Sequence, residues 1–200
     1  MKRIRTLLCV TALAGAMVSA CNSGETDRPD HDPPAGRAHE RRMHSEPADR
    51  SGVPRKAGDV QPLGVGAKAP TATLRDPEGA KVRLADRYAQ KPTVLIFYRG
   101  GWCPYCNTHL GQIATAEPEL IEMGYQVLAI SPDRPSELAR TLEHQELAYE
   151  LLSDSNVALA RAFGLVFRVD DPTVEKYKGF GIDLEQASGR NHHMLPVPSV

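Results

Sequence analysis

The chain has 200 residues with 24 basic and 25 acidic side chains, a formal net charge of −1. That balance leaves no basic footprint for nucleic acid. Among its four cysteines there is one Cys-X-X-Cys pair and no second one to partner it.

Residues 1–21 read as a targeting segment. Lys2, Arg3 and Arg5 form a basic start, Thr6 to Val18 an apolar stretch, and Val18-Ser19-Ala20-Cys21 a small-residue box closing on a cysteine. The run is shorter than the ~20 apolar residues a membrane span needs. Residues 22–60 mix acidic, basic and proline residues with almost no large apolar side chain, the composition of a disordered tether. A flexible segment of that length spans ~35 Å root-mean-square. His31, His39 and His44 lie in it without periodicity and read as solvated tail histidines.

The remainder, 61–200, is one domain's worth of chain. Ala72 to Arg75 and Lys81 to Leu84 read as a hairpin across Asp76-Pro77-Glu78-Gly79. A short helix follows around 85–89. Thr93 to Tyr98 is a continuous apolar strand of the kind buried on both faces. A helix begins near Cys103 with Leu110, Ile113, Ala114, Leu120 and Ile121 at helical spacing, Pro118 as a kink and Gly124 beyond its end. Tyr125 to Ser131 is the next strand and Pro135 to His144 an amphipathic helix. Leu151-Leu152 is a short strand, Asn156 to Phe163 a helix closed by Gly164, and Asp171-Pro172 opens another. The chain stops at Leu195 to Val200, which reads as the entry to a further strand. Alternating strands and helices predict an α/β fold with a parallel-centred sheet, whose chemistry sits at the carboxyl ends of the strands.

Trp102-Cys103-Pro104-Tyr105-Cys106 falls at that place. Cys9 lies in the targeting segment and Cys21 at its end, so the remaining thiols are one Cys-X-X-Cys pair. A strand-to-helix turn puts the first sulfur at a helix N-terminus, where unpaired amides and the macrodipole favour thiolate. Two cysteines make only half of a structural zinc site. A copper(I)-binding module using Cys103 and Cys106, assisted by His109 or His192-His193, is the non-enzymatic alternative. No phosphate-cradling glycine motif is present, and the reading calls for no cofactor and no resident metal.

Two resemblances extend this reading. Residues 1–21 resemble a bacterial lipoprotein signal, which implies lipidation of Cys21 and an exported protein anchored at the cell envelope, on the periplasmic side where there are two membranes. Phe97 to Cys106, Ala129-Ile130-Ser131-Pro132-Asp133, and Leu151-Leu152-Ser153-Asp154 with Ala158 to Gly164 resemble the peroxiredoxin-like branch of the thioredoxin superfamily, of the alkyl hydroperoxide reductase/thiol-specific antioxidant type. The resemblance implies a thioredoxin-like fold, a central mixed sheet flanked by helices, here lacking the C-terminal hairpin and last helix. It implies a peroxide substrate and a thioredoxin-like reducing partner; it leaves the oligomeric state open.

On the same resemblance Cys106 is the peroxidatic cysteine and Cys103 the resolving one. Pro198 matches the cis-proline that faces the active cysteines. Arg99 and Cys103 stand where the family has a proline and a threonine, and Pro198 falls about where its activating arginine would be. Phe97 holds the position of thioredoxin's buried carboxylate. Arg99 is then a candidate for the missing positive charge. The alternative is a thioredoxin-like disulfide oxidoreductase, with Cys103 attacking as the more exposed thiolate, Cys106 resolving, and Trp102 in support.

Overall fold

The computed structural model describes residues 52–145 and 147–200. The expected signal segment with Cys9 and Cys21, and the expected tether up to residue 51, lie outside the described residues.

The first hairpin forms as expected, β1 (Thr73–Arg75) pairing antiparallel with β2 (Lys81–Arg83). Asp76 closes its turn by accepting the N–H of Ala80 on Oδ1 at 2.7 Å. Helix α1 (Leu84–Gln90) follows directly. Then come β3 (Thr93–Phe97), α2 (Pro104–Glu122), β4 (Gln126–Ser131), α3 (Pro135–His144) and β5 (Glu150–Ser153). Strands β3, β4 and β5 are parallel, and β1 joins β5 antiparallel, giving a mixed sheet in the order β2-β1-β5-β4-β3. Ser199 bridges antiparallel to Phe97 along the outer edge of β3.

Strand alternation divides the core into two layers. On one face Phe97, Leu128, Ile130 and Leu152 pack with Leu84 of α1 and Leu159. On the other Ile96, Tyr98, Val127, Ala129 and Leu151 pack with Leu110 of α2, Leu138 of α3, and both cysteines. The period of two thus turns Tyr98, just past β3, toward the same layer as the dithiol. Helix α2 passes through Pro118 as one continuous element.

The C-terminal part holds two elements beyond the helix expected from Asp171-Pro172 and the strand entry expected at Leu195. After α4 (Ala158–Ala162) come β6 (Val166–Arg168), α5 (Asp171–Gly179), α6 (Leu184–Ser188) and β7 (Met194–Pro196). Strands β6 and β7 form a separate antiparallel pair. Asp170 caps α5 by accepting the N–H of Thr173 at 2.8 Å, and Asp183 caps α6 by accepting that of Gln186 at 2.9 Å.

The expected boundary at residue 61 needs correction. Val53 is buried in the core, and Pro54 O accepts the N–H of Arg168 at 2.8 Å. The folded body therefore includes the last residues assigned to the tether, because β6 offers them an unpaired edge. No helix among the described residues is long and apolar enough to cross a membrane.

Candidate active site

The loop from Tyr98 to Trp102 carries the chain from β3 into α2. Two glycines make it possible. Gly100 has φ +149°, and a Cβ there would fall 2.6 Å from Asp133 Oδ1 and collide with the Trp102 indole nitrogen. A Cβ on Gly101 would run into Thr141 Oγ1. The loop is held from two sides: Asp133 Oδ2 accepts the N–H of Gly101 at 2.7 Å, and Asn107 Nδ2 donates to Gly101 O at 2.8 Å. Trp102 packs between the dithiol layer and a cluster around β7, α5 and α6, its ring 5.8 Å from that of Tyr177.

Cys103 is the N-cap of α2, with Pro104 in the first turn. Its sulfur accepts the N–H of Cys106 at 3.4 Å and the Cys106 thiol at 2.7 Å. Both are free cysteines. Their sulfurs lie within about 0.7 Å of bonding distance, so disulfide closure needs little motion. One sequence expectation fails. Cys103 is not the more exposed thiol, since the two are 4 % and 5 % exposed. Trp102 and the first helical turn cover both.

Burial pushes the Cys106 thiol up to about 12, and its hydrogen bond to Cys103 adds to this. Arg99 opposes both, through its main-chain amide and its positive charge. Arg99 is half-buried, and its Nε is enclosed without a hydrogen-bond partner. It is therefore not a solvent-facing turn arginine. A cavity of about 220 Å³ opens onto both sulfurs, lined also by Tyr98, Arg99, Tyr105, His109 and Pro198. Pro198 sits where the resemblance put it, but its peptide bond is trans, as no cis bond occurs among the described residues. Tyr105 stands 87 % exposed at the rim.

The copper(I) alternative loses its second histidine pair. His192 Nδ1 accepts the N–H of Met194 at 2.9 Å and its Nε2 meets Ser155 O at 3.0 Å, so both ring nitrogens are occupied. His193 pairs with Glu185 at 2.8 Å. Both border a different, nearly closed space of about 10 Å³. Among the described residues no three His, Cys, Asp or Glu side chains converge as a metal site.

A profile described as the AhpC/TSA family matches residues 65–187. The chain belongs to that family. A relative in Haemophilus influenzae is 37% identical over 106 residues, 53% of this chain and 68% of its own. Peroxiredoxin Bcp of Escherichia coli K12 is 33% identical over 106 residues, 53% of this chain and 67% of its own. Among solved structures, peroxidoxin BcpB from Mycobacterium tuberculosis is similar with a TM-score of 0.48 and 28% identity, covering 50% of this chain and 66% of its own. The chain thus spans about two thirds of the length of the relatives it matches. As an AhpC/TSA domain it is an oxidoreductase of the peroxiredoxin type.

Sequence reasoning placed Cys103, Cys106, Trp102, Arg99 and Pro198 at one site, and the structure brings them together. It missed Asp133, Ser131, Asn107 and Tyr98 as parts of that site. The available signal was an acidic residue two positions after an otherwise apolar strand, in Ile130-Ser131-Pro132-Asp133.

Proposed function

We propose that the domain is a thiol-dependent peroxidase that reduces hydrogen peroxide or alkyl hydroperoxides through a Cys103/Cys106 dithiol–disulfide cycle. The observation that carries this is the buried 2.7 Å sulfur pair at the N-terminus of α2 in a chain of the AhpC/TSA family. Cys106 is the attacking sulfur on this reading, with Arg99 favouring its anion. Its thiolate cleaves the O–O bond, leaving a sulfenic acid and releasing water or an alcohol. The Cys103 thiol then condenses with the sulfenic acid, expelling water and forming the disulfide. A thioredoxin-like dithiol partner, for which Tyr105 offers an exposed contact beside the cavity, reduces it.

The hydrogen bonds favour a second reading. Cys103 is the N-cap sulfur and accepts the helix amide of Cys106, the place an attacking sulfur takes in disulfide exchange. The export signal and the lipid on Cys21 remain part of the proposal and rest on residues 1–21 alone. Intact mass of the protein isolated from membranes tests them, with no acyl mass on Cys21 as the refuting result.

Peroxide consumption with a thioredoxin-type reducing system decides the main question. Cys106→Ser abolishes turnover, and Cys103→Ser stops after one equivalent with a sulfenic acid on Cys106. Parental peroxide turnover by Cys106→Ser overturns the assignment. A Cys106→Ser protein that instead accumulates mixed disulfides through Cys103 moves the function to disulfide exchange.

A further inference from the structure

The cavity that opens onto both sulfurs has a volume of about 220 Å³. One water molecule's share of the liquid is about 30 Å³, so this space is several times larger than hydrogen peroxide needs. Tyr98, Tyr105 and Pro198 give it apolar walls, and Tyr105 stands exposed at its rim. Size and lining together suit a small organic molecule.

Charge is unevenly placed around it. Arg99 and His109 border the cavity, and no aspartate or glutamate does. Asp133, the buried carboxyl that holds the loop, borders other cavities instead. Among the described residues no side-chain hydrogen bond or ion pair engages the Arg99 guanidinium, and its Nε is enclosed without a partner. The other space that Arg99 borders, toward His192 and His193, measures about 10 Å³ and has room for one water at most. The dithiol cavity is therefore the open room beside this guanidinium. A half-buried cation without a counter-charge is destabilising, and a carboxylate that fits its planar fork offsets that.

We propose that the dithiol cavity selects organic hydroperoxides that carry a carboxylate, with Arg99 as the anion anchor. The inference rests on the peroxidase reading and narrows its substrate class. The carboxylate pairs with the guanidinium, the aliphatic body lies against Tyr98, Tyr105 and Pro198, and the hydroperoxide meets Cys106. An S–O bond forms as the O–O bond breaks. Sulfur is oxidised to the sulfenic acid, and the alkoxide takes a proton from water and leaves as a hydroxy acid. His109 offers a second polar contact in the same cavity.

Arg99 also favours the Cys106 anion, so its removal slows every oxidant. The anchor is read instead from the ratio between a charged and an uncharged oxidant. The test is single-turnover oxidation of the reduced full chain at about pH 7, where the carboxylate is ionised. It is followed by fluorescence of Trp102, the sole tryptophan, which packs against the dithiol layer. The oxidants are hydrogen peroxide, β-hydroperoxyisovalerate, and the methyl ester of the latter, which keeps the hydroperoxide and loses the charge. At low salt the parent reacts about tenfold faster with the carboxylate than with the ester. Arg99→Met brings that ratio to about one. Arg99→Lys, which keeps the charge without the fork, leaves an intermediate ratio. Raising salt from about 0.02 M to about 0.5 M shrinks the parental ratio and leaves the ester rate unchanged.

Equal rates for carboxylate and ester in the parent overturn the proposal, as does an Arg99→Met protein that keeps the parental ratio. Should Arg99→Met not fold, a parental ratio in Arg99→Lys that also resists salt overturns it. Oxidation by hydrogen peroxide and ester with no preference for the carboxylate leaves the peroxidase reading standing and removes this inference alone. If none of the three oxidises the dithiol, the peroxidase reading falls and the inference with it.

Discussion

Two buried aspartates follow the ends of neighbouring parallel strands and meet different fates. Asp133 follows β4 and Asp154 follows β5, 1 % and 3 % exposed. Burial raises both carboxyls, to about 7 and about 6. Asp154 is spent on backbone: it accepts the N–H of Leu159 at 3.3 Å and of Ala160 at 2.9 Å, and Ala158 N–H also favours its charge. It caps α4 behind Val157, a buried β-branched residue held at φ +51°. Asp133 accepts one main-chain N–H from another element, that of Gly101, and so holds the dithiol loop rather than its own helix start. Depth alone does not set what a buried carboxyl does; the element that supplies its donors does.

The strongest way to break the contrast is to take away the loop that Asp133 serves. Gly100→Ala places a Cβ against Trp102 and Asp133 at a φ of +149°. We expect about 3 kcal/mol of lost stability in urea unfolding, together with slowed dithiol oxidation. A variant as stable and as fast as the parent would show that the loop does not depend on this close approach.

Asp154→Ala strands the amides at the start of α4, for a loss of about 2 kcal/mol by the same measurement. An Asp154→Ala protein as stable as the parent would show that these bonds do not hold the start of α4.

The carboxyls also sharpen the comparison through pH. Each folded-state pKa is raised above the unfolded value, so between about pH 4 and each folded value the native state holds more protons than the unfolded chain. Stability therefore falls as pH rises across that window, with Asp154 complete near 6 and Asp133 near 7. One such group contributes a slope of about 1.4 kcal/mol per pH unit at most. Urea titrations at pH 4 to 8 should show the decline, and Asp133→Asn should remove its upper part. An unchanged slope between pH 6 and 7 in that variant would contradict the burial argument.

The smallest expected effect lies away from both aspartates. Arg87 makes a two-pronged pair with Glu150, at 3.0 and 2.9 Å, on the partly exposed side of the sheet. Arg87→Lys keeps the charge and loses the fork, for about 0.5 kcal/mol. Thiol chemistry is unaffected, which makes it a control for the other variants.

The elements around the dithiol were legible because their signals are local. The apolar run from Thr93 marked β3, the 3–4 residue spacing from Leu110 marked α2, and a Cys-X-X-Cys between them marked the turn. Strand β6 was not legible and β7 only as the strand entry at Leu195: at three residues each they are too short for periodicity, and their pairing joins Val166–Arg168 to Met194–Pro196 across two helices. Helix α6, five residues long, was not read from the sequence at all. The start of the folded body was misplaced because Val53 has apolar character but no periodic neighbours, and only β6 explains its burial.

The order of residues, then, already carried the α/β alternation, the family and the Cys-X-X-Cys pair that the fold buries at the start of α2. Spacing along one chain encodes which side chains share a helix face or a strand end. It does not encode which groups from separate strands meet in the interior. That the Asp133 carboxylate, beyond one strand end, takes the N–H of Gly101, beyond the next, follows from the parallel register of β3 on β4. Burial, and with it the energetic cost of every charge at the site, exists only once that packing is made.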